Sequence, residues 1–443
     1  MQSVIWDEAL KISGADPDYH RRDLWNAIDQ GHFPEWELGL QLFDQNFADQ
    51  FDFDVLDATK IIPEEILPLK IVGRLVLDRL VANFFAETEQ VAFCVRNVVP
   101  GIDFTNDPLL QGRILSYQDT QLIRLGGPNF QQIPINAPKC PVMHNQRDGF
   151  MQMSPQKGRV HYSPSSLEHD SPRQDSARGF SSYAEPVTGE KLRIRSESFA
   201  DHFSQALQFF YSQTEPEQNH IISAFIFELS KVETKAIRER MVGQLANVDP
   251  KIADRVAAGL GLASVAPVPT GVPARTDLAP SQALSILAKA KSTLEGRMIG
   301  CLIADGTDTA AVLALESAVV KQGANFKIVA PKVGGALGAD GNMIEADFQL
   351  AGGASVLFDH VFVLVSEEGA RTLANEASAV AWIHDAYQHL KVIGATEGAR
   401  VLLEKAQIPS DNGVLIGVEV DFYLKAAAKG KVWHREPSVR TIY

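Results

Sequence analysis

The chain has 443 residues, 45 % of them apolar and 22 % charged, which fits a globular protein of two or three domains and excludes a disordered or fibrous chain. A net charge of −14 argues against nucleic acid or an anionic membrane surface as a partner. Three cysteines without metal spacing (Cys94, Cys140, Cys301) fit a reducing compartment. Met1 is followed by neither a basic nor an apolar leader, and no window approaches the ~18 apolar residues of a membrane span, so a cytoplasmic location is expected.

In chain order, Asp23 to Gln30 reads as a short helix stopped by Gly31. Between Glu35 and Phe43, Trp36, Leu38, Leu40 and Leu42 alternate with Glu35, Glu37, Gly39 and Gln41, predicting a half-buried strand. Leu69, Ile71, Leu75 and Leu77 repeat the pattern against Lys70, Arg74 and Asp78. The stretch from Asn106 to Gly127 carries its own helix signals: Asp107 as N-cap, Pro108 at the first position, and Gly126-Gly127 as a left-handed exit. Arg113 lies four residues before Tyr117 and Arg124 seven after it, so the three share a face. A guanidinium favours the anionic form of a neighbouring phenol, and a phenolate can ligate iron. The same spacing also describes an ordinary packing pair, so spacing alone does not decide. His20 on a helix face and His32 in a turn read as structural.

Residues 131–195 are rich in Pro, Ser, Asn, Gln and Arg without a period, the composition of a linker. Helical periodicity returns over 199–262, with Phe225, Phe227, Leu229 and Val232 in one run and Ile237, Met241 and Leu245 in a second. Asp249-Pro250 starts a third helix that ends at Gly259-Leu-Gly261, and the proline-rich 265–280 reads as a linker. From Gly296 on, strands are predicted at 298–304, 326–330, 361–365, 391–395 and 413–417, with helices between them, including 377–390 and 398–406. This is the pattern of a parallel α/β sheet. Asp305-Gly-Thr-Asp308 reads as a capped turn, and Gly334 to Gly341 as a loop before a hairpin.

Five stretches together resemble the second half of a haem catalase of the large-subunit type. They are His20-Arg-Arg-Asp-Leu-Trp25, Phe33-Pro-Glu-Trp-Glu-Leu-Gly39, Leu56-Asp-Ala-Thr-Lys-Ile-Ile-Pro-Glu-Glu65, Asn83-Phe-Phe-Ala-Glu-Thr-Glu-Gln90, and the tyrosine helix with Gly127-Pro-Asn-Phe130. The resemblance implies an α+β catalase core followed by an α/β flavodoxin-like or amidotransferase-like domain. Its divisions are 1–130 (part of the antiparallel barrel and the proximal haem helix), 131–195 (an extended segment wrapping neighbouring subunits), 196–262 (helical domain), 263–295 (linker) and 296–443.

By the same resemblance, Tyr117 is the proximal ligand of haem iron, Arg113 hydrogen-bonds it, and Asp107 anchors that arginine. Arg124 neutralises a haem propionate, while Leu109 and Ser116 face the porphyrin. Cys94 stands where some members place a histidine cross-linked to the tyrosine, so that modification is not expected here. Thr396 stands where enzyme relatives of the last domain place a cysteine nucleophile, and a structural role is expected for that domain.

The resemblance also sets Met1 inside the core, so the distal histidine and asparagine that act on peroxide are expected to be absent, with barrel edges left open. The activity implied is dismutation of hydrogen peroxide to water and dioxygen by a homotetramer, with poor turnover expected of this chain alone. Its alternative is a catalytically silent chain that binds haem or assists assembly. A third reading makes the last domain a small-molecule binder.

Overall fold

The structure is a computed structural model that describes residues 4–127, 129–139, 152–153, 157–160, 164–167, 175, 177–190, 192, 194–195 and 197–440. Two compact units divide the chain: one combines residues 1–32, 63–68 and 201–443, the other 33–62 and 69–200.

The chain opens with helices α1 (Trp6–Ala15) and α2 (Tyr19–Asp29), the second closed by Gly31 at φ +79°. In the 33–200 unit, strand β1 (Glu35–Leu40), helix α3 (Gln45–Ala48), strand β2 (Lys70–Val76) and helix α4 (Pro108–Leu125) follow. β1 and β2 pair antiparallel, Glu35 opposite Val76 and Leu40 opposite Lys70, with a bulge between Leu38 and Gly39. The expected strands form, yet they are not half-buried. Trp36, Leu38, Ile71, Val72 and Leu75 are all exposed, because among the described residues no third strand or helix covers either face of this ribbon. Of the segment 131–195, residues 140–151 with Cys140, and several shorter pieces, lie outside the described residues, as does Pro128; described residues 177–190 have no regular structure.

In the other unit, helices α5 (Ser204–Ser212), α6 (Glu215–Ser230), α7 (Lys235–Val248) and α8 (Pro250–Gly259) share one core. α6 starts in a capping box, where Glu217 accepts from the Thr214 amide at 2.9 Å. Asp249 caps α8 through the Lys251 amide at 2.6 Å. The core face of α6 is Ile222, Ile226 and Leu229; of the expected phenylalanines, Phe225 packs half-buried against that core and Phe227 does not, and Ile237 is exposed on α7. Spacing of i, i+4, i+7 selects one stripe, and the intervening phenylalanines fall to its side. The 265–280 stretch is irregular but held by hydrogen bonds, as from Val268 N to Gly243 O and from Gln208 to Ala279 O.

The chain then builds β3 (Met298–Leu302), α9 (Thr309–Lys321), β4 (Asn325–Ala330), a short hairpin β5 (Ala336–Leu337) and β6 (Met343–Ile344), and β7 (Phe348–Gln349). β8 (His360–Val363), α10 (Glu367–Leu373), α11 (Ala377–Gln388), β9 (Ile393–Ala395), α12 (Arg400–Lys405), β10 (Val414–Ile416), α13 (Val420–Ala427) and α14 (Glu436–Val439) complete it. Six strands form one parallel sheet in the order β10-β9-β8-β3-β4-β7. Strands buried on both faces read as unbroken apolar runs, hence their legibility. Two apolar cores result, with Val361 and Val363 of β8 in one and Phe362 with the following Leu364 in the other. Gly300 and Gly394 seat aromatic rings: a Cβ at either would approach Phe358 or Phe362 to 2.4 and 2.3 Å. The glycine-rich 334–341 segment contributes to the hairpin itself instead of preceding it.

One polar cluster is sealed inside this unit. Glu8 of α1 is 2 % exposed, its carboxylate 3.3 Å from Lys391 Nζ and 2.5 Å from Lys431 Nζ. Burial alone would push the Glu8 carboxyl up, but the two ammonium groups outweigh it and hold it at about 2. Burial pulls Lys391 down to about 8 despite Glu8, and it pulls His389 down to about 4, reinforced by Lys391.

Acid therefore works against this unit. His389 in the folded chain takes up its proton later than in the unfolded chain, so stability complete above its ordinary 6.5 drains as pH falls through 4. Glu8 adds loss below 4.5, continuing through 2. A shift of the size at His389 corresponds to roughly 3 kcal/mol at most. Thermal unfolding followed across pH is expected to show melting falling below pH 6.5, and the slope is expected to flatten in His389→Leu; a profile level from pH 7 to 4 contradicts the assignment.

Candidate functional site

α4 forms where its caps dictate. The Asp107 carboxylate accepts from the Leu109 amide at 2.8 Å, Pro108 takes the first turn, and Gly126 leaves at φ +77°. At about 100° per residue, Leu109, Arg113, Ser116, Tyr117, Thr120 and Arg124 fall within an arc of about 100°. Tyr117 is half-buried, and its hydroxyl makes no hydrogen bond with the described residues. The Arg113 guanidinium lies 5.2 Å from the centre of the Tyr117 ring, over the ring rather than at the hydroxyl. Phe93 meets the same ring edge-on, with centroids 5.5 Å apart and planes at 75°.

The remaining expected residues sit as follows. Asp107 acts as a helix cap and forms no ion pair with Arg113. Leu109 is 56 % exposed, and Ser116 is exposed with its hydroxyl donating to Arg113 O at 3.5 Å, the outer limit of a hydrogen bond. Arg124 donates from Nε and Nη2 to Gln121 Oε1 (3.1 and 2.7 Å), from Nη2 to Val91 O and from Nη1 to Glu89 O. A guanidinium has five N–H groups, so a single Nη1 hydrogen is left without a described partner. Cys94 is a buried free thiol. His20 and His32 are exposed on and just after α2.

Gln121 was not legible in advance: a glutamine inside a polar helix carries no sequence signal, yet it is the buried residue of α4. In the parallel-sheet domain, the Thr396 hydroxyl donates to Val365 O at 2.7 Å, a structural engagement. The turn 305–308 is likewise occupied, Asp308 capping α9 and Asp305 accepting from the Leu337 amide at 2.8 Å.

Three family models match in order: catalase over residues 1–169, catalase-related immune-responsive over 196–260, and the C-terminal domain found in long catalases over 295–437. The chain belongs to the catalase family, among its long members. Catalase C of Rhizobium meliloti is 54 % identical over 99 % of this chain and 63 % of its own length. Catalase HPII of Pseudomonas aeruginosa is 46 % identical over 99 % of the chain and 63 % of itself, and Catalase-2 of Bacillus subtilis 42 % over 98 % and 64 %. The chain thus spans less than two thirds of these relatives. No helix among the described residues is long and apolar enough to cross a membrane.

Proposed function

We propose that this chain provides the iron-ligating side of a haem catalase, serving dismutation of hydrogen peroxide to water and dioxygen. The observation that carries the reading is a half-buried phenol without a described hydrogen-bond partner, beneath a guanidinium, in a chain of catalase ancestry. The residues suit the cofactor. A phenolate is a hard anionic donor for ferric iron. The flank beside it is open: a Cβ on Gly112 would touch nothing within 4 Å, and Leu109, Ser116 and Thr120 are exposed. A flat macrocycle can rest there.

Bound haem would supply the redox chemistry at iron. The chain's own residues do the rest. Tyr117 would hold the metal through its oxygen, and Arg113, 5.2 Å from the centre of its ring, would place a positive charge beside that ligand. Asp107 fixes the start of the helix and hence the height of Arg113. Arg124 offers its remaining hydrogen to a propionate, a single contact in place of a bidentate clamp. Leu109 gives apolar contact and Ser116 a hydroxyl to the proximal face.

In the same reading the β1–β2 ribbon belongs to a barrel, the parallel-sheet domain is flavodoxin-like, its five strands other than the two-residue β7 running in the order 2-1-3-4-5, and the working unit is a cytoplasmic homotetramer.

Hemin titration of the purified protein tests this. A Soret band saturating at one haem per chain is expected, and oxygen release from peroxide on loading separates a working catalase from a chain that only binds haem. A protein that stays colourless overturns the reading, and colour without oxygen reduces it to haem binding.

A further inference from the structure

We propose that Gln121 is the positioning residue of the tyrosine site, its amide tying both the Phe93 segment and the Arg124 guanidinium to one turn of α4. The proposal rests on the roles given above to Tyr117 and Arg124. Gln121 lies one turn beyond Tyr117 and is 5 % exposed. Its Nε2 donates to Phe93 O at 3.2 Å while its Oε1 accepts twice from Arg124. Arg124 in turn donates to the Glu89 and Val91 carbonyls, at the end of the π-helical turn Phe85–Glu89. A buried amide is costly unless both ends are satisfied, so these bonds select one orientation of the side chain.

Two consequences follow for the neighbours of Tyr117. The backbone of Phe93 is pinned 28 residues away in sequence, and its ring is thereby set edge-on against the phenol. The plane of the Arg124 guanidinium is fixed from two sides, and that fixes the direction of its one remaining Nη1 hydrogen. Only a side chain that both donates and accepts does this. Glutamate at 121 keeps the Arg124 contact but sets an oxygen against Phe93 O; leucine keeps neither.

The test compares Gln121→Leu and Gln121→Glu with the parent in two measurements. In hemin-free protein, amide hydrogen exchange over residues 89–94 is expected to speed up at least tenfold in both variants. In hemin titrations, Gln121→Leu is expected to lose roughly 10–100-fold in affinity with a shifted Soret maximum, the range for residues that support a ligand, and Gln121→Glu to recover most of it. Unchanged exchange in both variants, or equal hemin affinity across all three proteins, overturns the proposal. Should the parent bind no hemin, the catalase reading fails by itself and the exchange measurement alone decides the role of Gln121. If the leucine variant does not fold, the glutamate variant carries the exchange test.

Discussion

Replacing Glu8 with alanine is expected to destabilise the unit formed by residues 1–32, 63–68 and 201–443 by about 3–5 kcal/mol, the cost of breaking a buried ion pair from one side. The carboxylate is the shared counter-ion of two ammonium groups, each almost wholly buried. Without it Lys391 keeps the carbonyls of Ser355, Val356 and Phe358, and Lys431 keeps His389 O, but two positive charges then face each other undiluted. Lys391, already pulled down to about 8, would give up its proton in partial relief. Around this cluster α1 is also tied by Lys11 to Asp385 at 3.0 Å and by Asp7 to Arg440 at 3.1 Å, but in each pair the α1 partner is exposed, so these pairs count for less. Urea unfolding measures the loss. Glu8→Leu with Lys391→Met, which removes one charge of each sign, is expected to recover part of it. A change below about 1 kcal/mol in Glu8→Ala means that the cluster is hydrated and the account of it is wrong.

The second large effect concerns Tyr117. Tyr117→Phe keeps the ring, its edge contact with Phe93 and its place under Arg113, and removes one oxygen. If that oxygen is the iron ligand, hemin affinity is expected to fall by more than the roughly 10–100-fold that a supporting partner costs. Arg113→Leu is expected within that smaller range, since it alters the charge beside the ligand and not the ligand. Far-UV circular dichroism should be unchanged in both, because neither residue caps or spans α4. Equal hemin affinity in parent and Tyr117→Phe would place the iron elsewhere.

How much of this the sequence disclosed depends on how far apart the deciding partners lie. The caps of α4 are local, and Asp107, Pro108 and Gly126 stand as read. Five of the six strands of the parallel sheet are largely apolar runs, and these five lie within a few residues of their expected limits. β7 and the β5–β6 hairpin escaped because two residues cannot display a period. Glu8 escaped for another reason. An acid in the first turn of a helix is ordinarily solvated and favourable to the helix dipole, and only a lysine 423 residues away makes it a core residue. The alternation in β1 and β2 was real, but alternation announces a face to be covered and not the element that covers it. At the site itself, spacing put Arg113 beside Tyr117, whereas the engagement of Arg124 with Gln121, Glu89 and Val91 depended on a fold of the 89–93 segment that no local pattern encodes.

The central claim is that the Tyr117 oxygen meets iron. Resonance Raman spectroscopy of the hemin-loaded protein, excited in the tyrosinate-to-iron charge-transfer region, tests it most directly. The account predicts enhanced ring modes of a coordinated tyrosinate that vanish in Tyr117→Phe; a loaded protein lacking those modes, or retaining them in the variant, contradicts it.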